Sequence, residues 1–96
     1  MTDGDAFVAV DGLFNATWVK LAQERGVQLL PPRWVEEESE VEDSRIGRYP
    51  LSGTDVGFAN EFVVRLGAAG SPVGAAIEHI AYVDSPPAIV VRFRPR

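Results

Sequence analysis

Hydrophobic and polar positions alternate most regularly in the last third of the chain. Residues 61–66 and 88–94 each alternate with a period of two, which predicts two strands. Between them, six apolar residues from position 73 to 83 fall on one arc of a helical wheel, which predicts a helix over 72–83. Ser71 is a good cap for that helix, and Pro72 suits its first position because proline's missing N–H costs nothing there.

The same residues allow one alternative, in which 75–83 is a strand that forms a hairpin with 88–94. A regular strand places Ile77 and Ile80 on opposite faces, because side chains alternate from one side of a strand to the other. One of the two isoleucines would then point away from the core. The helix keeps both on one face, so it is the preferred interpretation.

The first third of the chain predicts a similar order of elements. Residues 6–10 form a short apolar run, which indicates a buried strand. We expect a helix over about 16–25, because Asn15 can cap it and apolar residues follow at helical spacing. Gly26 then occupies the position at which helices commonly end. A second short strand is expected over 27–30, before two consecutive prolines.

The middle of the chain is strongly acidic. Six of the eight residues from Glu36 to Asp43 are acidic and the stretch lacks an apolar face, which predicts an exposed segment. Four glycines and prolines between positions 44 and 57 leave room for no more than a short edge strand near position 48. We interpret 31–57 as a long acidic and irregular connector inside a single domain that spans residues 1–96.

Two strand–helix–strand units in a chain of 96 residues predict an α+β fold. The expected architecture is a two-layer sandwich, with a four-stranded, mainly antiparallel sheet and two helices on one of its faces. Its order of elements would be βαββαβ, the ferredoxin-like plan. In such a sandwich the second face of the sheet meets solvent, a ligand or a partner.

Composition narrows the classes of function. The chain has no cysteine and one histidine, so disulfides and thiolate metal sites are excluded and we expect no metal and no cofactor. The start is acidic and no apolar run approaches the roughly 18 residues of a membrane span, so we expect a soluble, cytoplasmic protein without a membrane partner. The first 61 residues hold twelve acidic and five basic side chains. A nucleic-acid partner is therefore not expected, because binding to phosphates comes from Lys and Arg.

The uncovered face of the predicted sheet is the leading candidate site. Val63, Arg65, Val90 and Arg92 fall on that face in the predicted strands, and they combine apolar and arginine character as interfaces do. We therefore expect a non-catalytic binding or assembly module that forms a homodimer through these residues. The stretch Glu36–Asp43 is a second candidate surface, for docking a basic protein partner.

The alternative function is a small-molecule-binding domain or a minor enzyme. Its pocket would lie between the sheet and the loop 44–58, and its lining would be Trp34, Arg48, Tyr49 and Phe58. No two titratable residues stand at a spacing that fixes a catalytic geometry, so the sequence assigns no catalytic residue.

Overall fold

The computed structural model describes residues 3–53 and 56–96 and contains two helices and one four-stranded antiparallel sheet. In chain order the elements are α1 (Asp3–Arg25), β1 (Val35–Glu37), β2 (Arg45–Pro50), α2 (Val56–Ala69), β3 (Ala75–Asp84) and β4 (Pro87–Pro95). The strands lie in the order β1-β2-β4-β3, so β2 and β4 are the central pair.

Both helices pack against the same face of this sheet. One hydrophobic core joins Phe14 and Trp18 of α1, Phe62 of α2, and Ile89 and Phe93 of β4. The expected α+β class, with four antiparallel strands and two helices on one face, is confirmed. The order of elements is αββαββ, so a helix stands where the βαββαβ plan has its first strand.

The strand predicted over 6–10 is wrong, because these residues lie within α1. Ala6, Phe7, Val10 and Phe14 are buried at spacings of one, three and four residues, which is the pattern of a helix face. The run is continuously apolar because Val8 adds a hydrophobic residue on the outer side of the helix, where it is 70 % exposed. A short apolar run does not distinguish a buried strand from a helix.

The predicted end of α1 at Gly26 is confirmed. Gly26 has a φ of +66°, and its N–H donates to the Gln23 carbonyl at 3.2 Å while the Val27 N–H donates to the Ala22 carbonyl at 3.0 Å. These two bonds are those of a Schellman motif. The strand expected over 27–30 is wrong, since this segment has no strand pairing.

The strand predicted over 61–66 is also wrong, because the segment belongs to α2. The buried residues of α2 are Phe58, Ala59, Phe62 and Leu66, which follow the helical spacing. The alternation that indicated a strand came from Val64, which is 71 % exposed on the outer side of the helix.

The helix predicted over 72–83 is wrong, and the alternative hairpin of β3 with β4 is the observed structure. The register of this pair shifts between Ile77 and His79, which marks a β-bulge. The extra residue resets the alternation, so that Ile77 pairs with Phe93 and Ile80 pairs with Val91. Both partners on β4 are buried, and both isoleucines pack against the core.

The segment 31–57, predicted as an irregular connector, contains β1 and β2. β2 crosses the middle of the sheet rather than forming an edge, and Tyr49 on it is only 1 % exposed. The acidic residues are exposed as predicted, because β1 is an outer strand whose three residues are all exposed. Val41 between them is 42 % exposed, so the hairpin between β1 and β2 adds no large side chain to the core.

The chain consists of two αββ halves that are related by an offset of 44 positions. The two helices end just before glycines with positive φ at positions 26 and 70. The strand pairing keeps the same offset, since Val35 pairs with Arg48 in the first half and His79 pairs with Arg92 in the second. An approximate two-fold axis between β2 and β4 therefore relates the halves.

The conformation at Gly26 predicts opposite effects for two glycine substitutions in α1. Gly26→Ala should lower the free energy of unfolding by about 1 kcal/mol, because an L-residue is strained at positive φ. Gly12→Ala should raise it by about 0.5–1 kcal/mol, because Gly12 lies inside the helix and alanine restricts the unfolded chain. Urea unfolding measures both changes.

Steric clashes do not complicate this comparison, because a Cβ atom at either position would have no atom within 4 Å apart from its chain neighbours and, at Gly12, the nearby backbone of the helix. Equal shifts of the two unfolding midpoints in the same direction would contradict the assigned end of α1.

Candidate functional site

No described helix or strand covers the face of the sheet opposite the two helices. Side chains of β4 alternate, with Ile89, Val91 and Phe93 buried beneath the helices and Val90 and Arg92 only half-buried on the other side. We call this second side the open face. The sequence placed Val90 and Arg92 on it, and the structure agrees in this respect.

The centre of the open face repeats one pattern on its two central strands. Ile46 and Arg48 lie two positions apart on β2, as Val90 and Arg92 do on β4. The antiparallel register sets Ile46 opposite Arg92 and Arg48 opposite Val90. The approximate two-fold axis therefore relates the apolar residues to each other and the arginines to each other.

One end of the open face carries an ion cluster around Glu78. The Ser44 hydroxyl donates to Glu78 Oε1 at 2.6 Å, and Arg94 Nε donates to Glu78 Oε2 at 3.3 Å. Arg92 Nε lies 3.7 Å from Glu78 Oε1, which is an ion pair without a hydrogen bond. The bond from Ser44 is the main cause that holds the pKa of Glu78 below its ordinary value, and the two arginines lower it further.

Both central arginines have only weak partners among residues 3–53 and 56–96. Arg92 Nε is buried and has no hydrogen-bond acceptor there. Arg48 Nη2 donates to the Pro86 carbonyl at 3.4 Å, and Arg48 Nη1 stands 4.0 Å from Glu37. Long ion-pair distances at half-exposed side chains contribute little to stability.

The other two predicted interface residues are not on the open face. Val63 lies on α2 and packs against the core. Arg65 also lies on α2 and forms ion pairs with Glu24 of α1 and with Glu61. Of these two pairs only the one with Glu24 links the two helices, and both lie on the helix side of the sheet, so the structure does not bring Val63 and Arg65 to Val90 and Arg92.

The four residues predicted to line a pocket do not share one. Tyr49 and Phe58 are buried in the core, and Trp34 stacks on Phe7 with ring centroids 4.2 Å apart. Arg48 lies on the opposite side of the sheet from Tyr49, because adjacent residues of a strand point to opposite faces.

A cleft does exist beside Trp34, between α1 and the segment that leads into β1. Its volume is about 430 Å³, and it is lined by Asp11, Asn15, Pro31, Pro32, Arg33 and Trp34. Asp11 accepts hydrogen bonds from the Tyr49 hydroxyl at 3.2 Å and from Asn15 Nδ2 at 3.0 Å. Burial is the main cause that raises the pKa of Tyr49, and the nearby Asp11 carboxylate raises it further.

Most of this cleft has no signal in the sequence. Asp11 and Asn15 lie one helical turn apart on α1, whereas Asn15 was expected to cap a helix that begins after it. Recognising α1 as one continuous helix would have placed both on a single face.

The acidic stretch from Glu36 to Asp43 lines an open depression of about 560 Å³ in the hairpin between β1 and β2. No three His, Asp or Glu residues in the described part of the chain are arranged to hold a metal ion. Within those same residues, neither helix is long and apolar enough to cross a membrane.

Comparison with known proteins adds no assignment to this geometry. The chain matches no protein-family model, no curated protein and no solved structure. A function must therefore be argued from the surfaces themselves.

The bond from Ser44 predicts how Glu78 responds to acid. A carboxyl whose pKa is lowered by folding stabilises the protein above its ordinary pKa of 4.5, and this stabilisation is lost as the pH falls through the lowered value. Ser44→Ala removes the main cause, so the pKa of Glu78 should rise toward 4.5 and less stability should be lost between these pH values. NMR titration of the Glu78 carboxyl carbon measures the shift.

Ser39→Ala is the matched control, because among the residues that the structure describes the Ser39 hydroxyl bonds to the Val41 backbone in the same hairpin and not to Glu78. It should leave the pKa of Glu78 unchanged. An unchanged value in Ser44→Ala would show that the arginines alone set the charge state of this carboxyl.

Proposed function

We propose that this protein is a non-catalytic assembly module that forms a homodimer through its open face. The observation that supports the proposal is the paired arrangement of Ile46, Arg48, Val90 and Arg92 on the two central strands. Apolar and arginine side chains at the middle of an otherwise uncovered sheet are typical of interface centres.

A second copy of the chain is the partner that suits this surface best. An isologous dimer brings the same patch of two molecules together around a two-fold axis, so the patch must complement itself. The open face does so, because it carries Glu37 and Glu78 as well as arginines. A rotation about the dimer axis can place carboxylates of one copy near arginines of the other.

The acidic hairpin strengthens this argument about charge. Six acidic residues lie from Glu36 to Asp43 beside the open face, whereas Arg48 and Arg92 have weak partners within the described chain. A chain with arginines on one part of a surface and acids on the neighbouring part has opposite charges to offer a second copy.

The size of the molecule is compatible with such a dimer. Its Cα atoms span 37 × 27 × 19 Å and its accessible surface is 5721 Å². A standard interface takes roughly 800 Å² from each partner, which is a modest share of this surface.

Charged substitutions on the open face should separate the dimer without unfolding the chain. Ile46 and Val90 are half-buried on that face, so the double variant Ile46→Glu with Val90→Glu should place two like charges at the interface. We expect wild type at about twice the 10.4 kDa of one chain by light scattering at micromolar concentration, and the variant at the mass of one chain.

The matched control carries the same two changes on the outer sides of the helices. Val8 and Val64 are 70 % and 71 % exposed there, and Val8→Glu with Val64→Glu should remain dimeric. Circular dichroism checks that both double variants keep their folded structure. A monomeric wild type contradicts the proposal, and dissociation by the helix variant alone would move the interface to the helices.

A further inference from the structure

We propose that the cleft beside Trp34 binds a small zwitterion of the α-amino acid class. Asp11 would hold its ammonium group, Arg33 its carboxylate, and Trp34 with Pro32 its side chain. This site lies on the helix side of the sheet and is independent of the proposed dimer.

The cleft contains a negative charge, on Asp11, that has no positive partner among residues 3–53 and 56–96. Asp11 is half-buried and accepts hydrogen bonds from Tyr49 and Asn15, which are both neutral donors. Within the described residues no lysine or arginine forms an ion pair with it. Each carboxylate oxygen can accept more than one hydrogen bond, so an ammonium group can be added to this arrangement.

The same cleft also carries a positive charge, on Arg33. Arg33 lines the cleft and is exposed, and the described part of the chain gives it no acidic partner. Asp11 and Arg33 therefore border one cavity without pairing with each other. A molecule that carries both charges can lie between them, and the planar guanidinium suits a carboxylate.

Trp34 gives the cleft an apolar surface that is held in place by its neighbours. Trp34 stacks on Phe7 with an interplanar angle of 14°, which holds its ring against α1. The segment before it is anchored by Trp18, whose Nε1–H donates to the Leu29 carbonyl at 2.9 Å. Two prolines then restrict the backbone up to Arg33. These contacts hold the walls of the cleft in place.

The volume fits this class of ligand. The cleft measures about 430 Å³, which lies in the lower part of the usual range of about 300–1,000 Å³ for small-molecule sites. A free amino acid fits within this volume, and its two charged groups and its side chain match the three kinds of lining residue.

The test uses L-leucine as the probe, with two analogues that each lack one charge. Leucine should shift the NMR signal of the Trp34 indole N–H in a saturable way, and the signal is assigned with Trp34→Phe. N-acetyl-L-leucine lacks the ammonium and L-leucinamide lacks the carboxylate, so each should bind at least tenfold more weakly than leucine. Trp18 provides an internal reference because its N–H already donates to Leu29.

Two variants identify the groups on the protein. Asp11→Asn keeps an acceptor for Tyr49 and removes the charge, and Arg33→Gln changes an exposed side chain whose loss cannot disturb the core. Each should weaken leucine binding at least tenfold. Asp84→Asn and Arg96→Gln make the same changes at exposed positions away from the cleft and should bind leucine as wild type does.

The proposal is overturned if leucine causes no saturable shift of the Trp34 signal. It is also overturned if leucine and leucinamide bind equally well. Unchanged binding in Arg33→Gln would overturn the assignment of the carboxylate even if Asp11→Asn failed to fold.

Discussion

The rest of the structure depends on the stack of Phe14 on Tyr49, whose ring centroids are 3.6 Å apart and whose planes differ by 6°. Phe14 belongs to α1 and Tyr49 to the central strand β2, so this contact sets the distance between the two layers. Phe62 of α2 packs at the same point, with its ring centroid 4.6 Å from that of Phe14. The Tyr49 hydroxyl could not be buried here without an acceptor, and Asp11 supplies it. The cleft and the core are therefore parts of one arrangement.

The sequence was sufficient for the parts of the fold that carry a strong local signal. Gly26 ends α1 as expected because glycine adopts positive φ more easily than any residue with a side chain, and β4 follows the regular alternation of 88–94. It failed at β3 because one extra residue at the bulge reverses the alternation, so that a hairpin strand acquires an apolar pattern resembling a helix. It failed at α2 because Val64 supplies an exposed apolar residue at a strand-like spacing.

The candidate sites divide in the same way, into residues whose positions follow from a local pattern and residues whose positions do not. Val90 and Arg92 were placed correctly relative to each other because they lie on a strand that was predicted correctly. Arg48 was grouped with Tyr49 although neighbours on a strand point to opposite faces, because no more than a short edge strand was expected near position 48. The cleft needs Asp11 from α1 beside Trp34, and this proximity arises only from packing of the helix on the sheet. No local pattern encodes it.

The bulge in β3 also bears on how far self-association can proceed. β3 is the long outer strand of the sheet, and a straight outer strand of ten residues is a template for open-ended strand addition and aggregation. The bulge interrupts the row of free backbone groups on β3 near Glu78. The Ile77 N–H is also unavailable to an added strand, because it donates a hydrogen bond to the Ser71 hydroxyl at 2.9 Å. At the opposite edge of the sheet, β1 has only three residues and two of them are glutamates. Both edges therefore present short or interrupted rows of free backbone groups, which limits open-ended addition of strands.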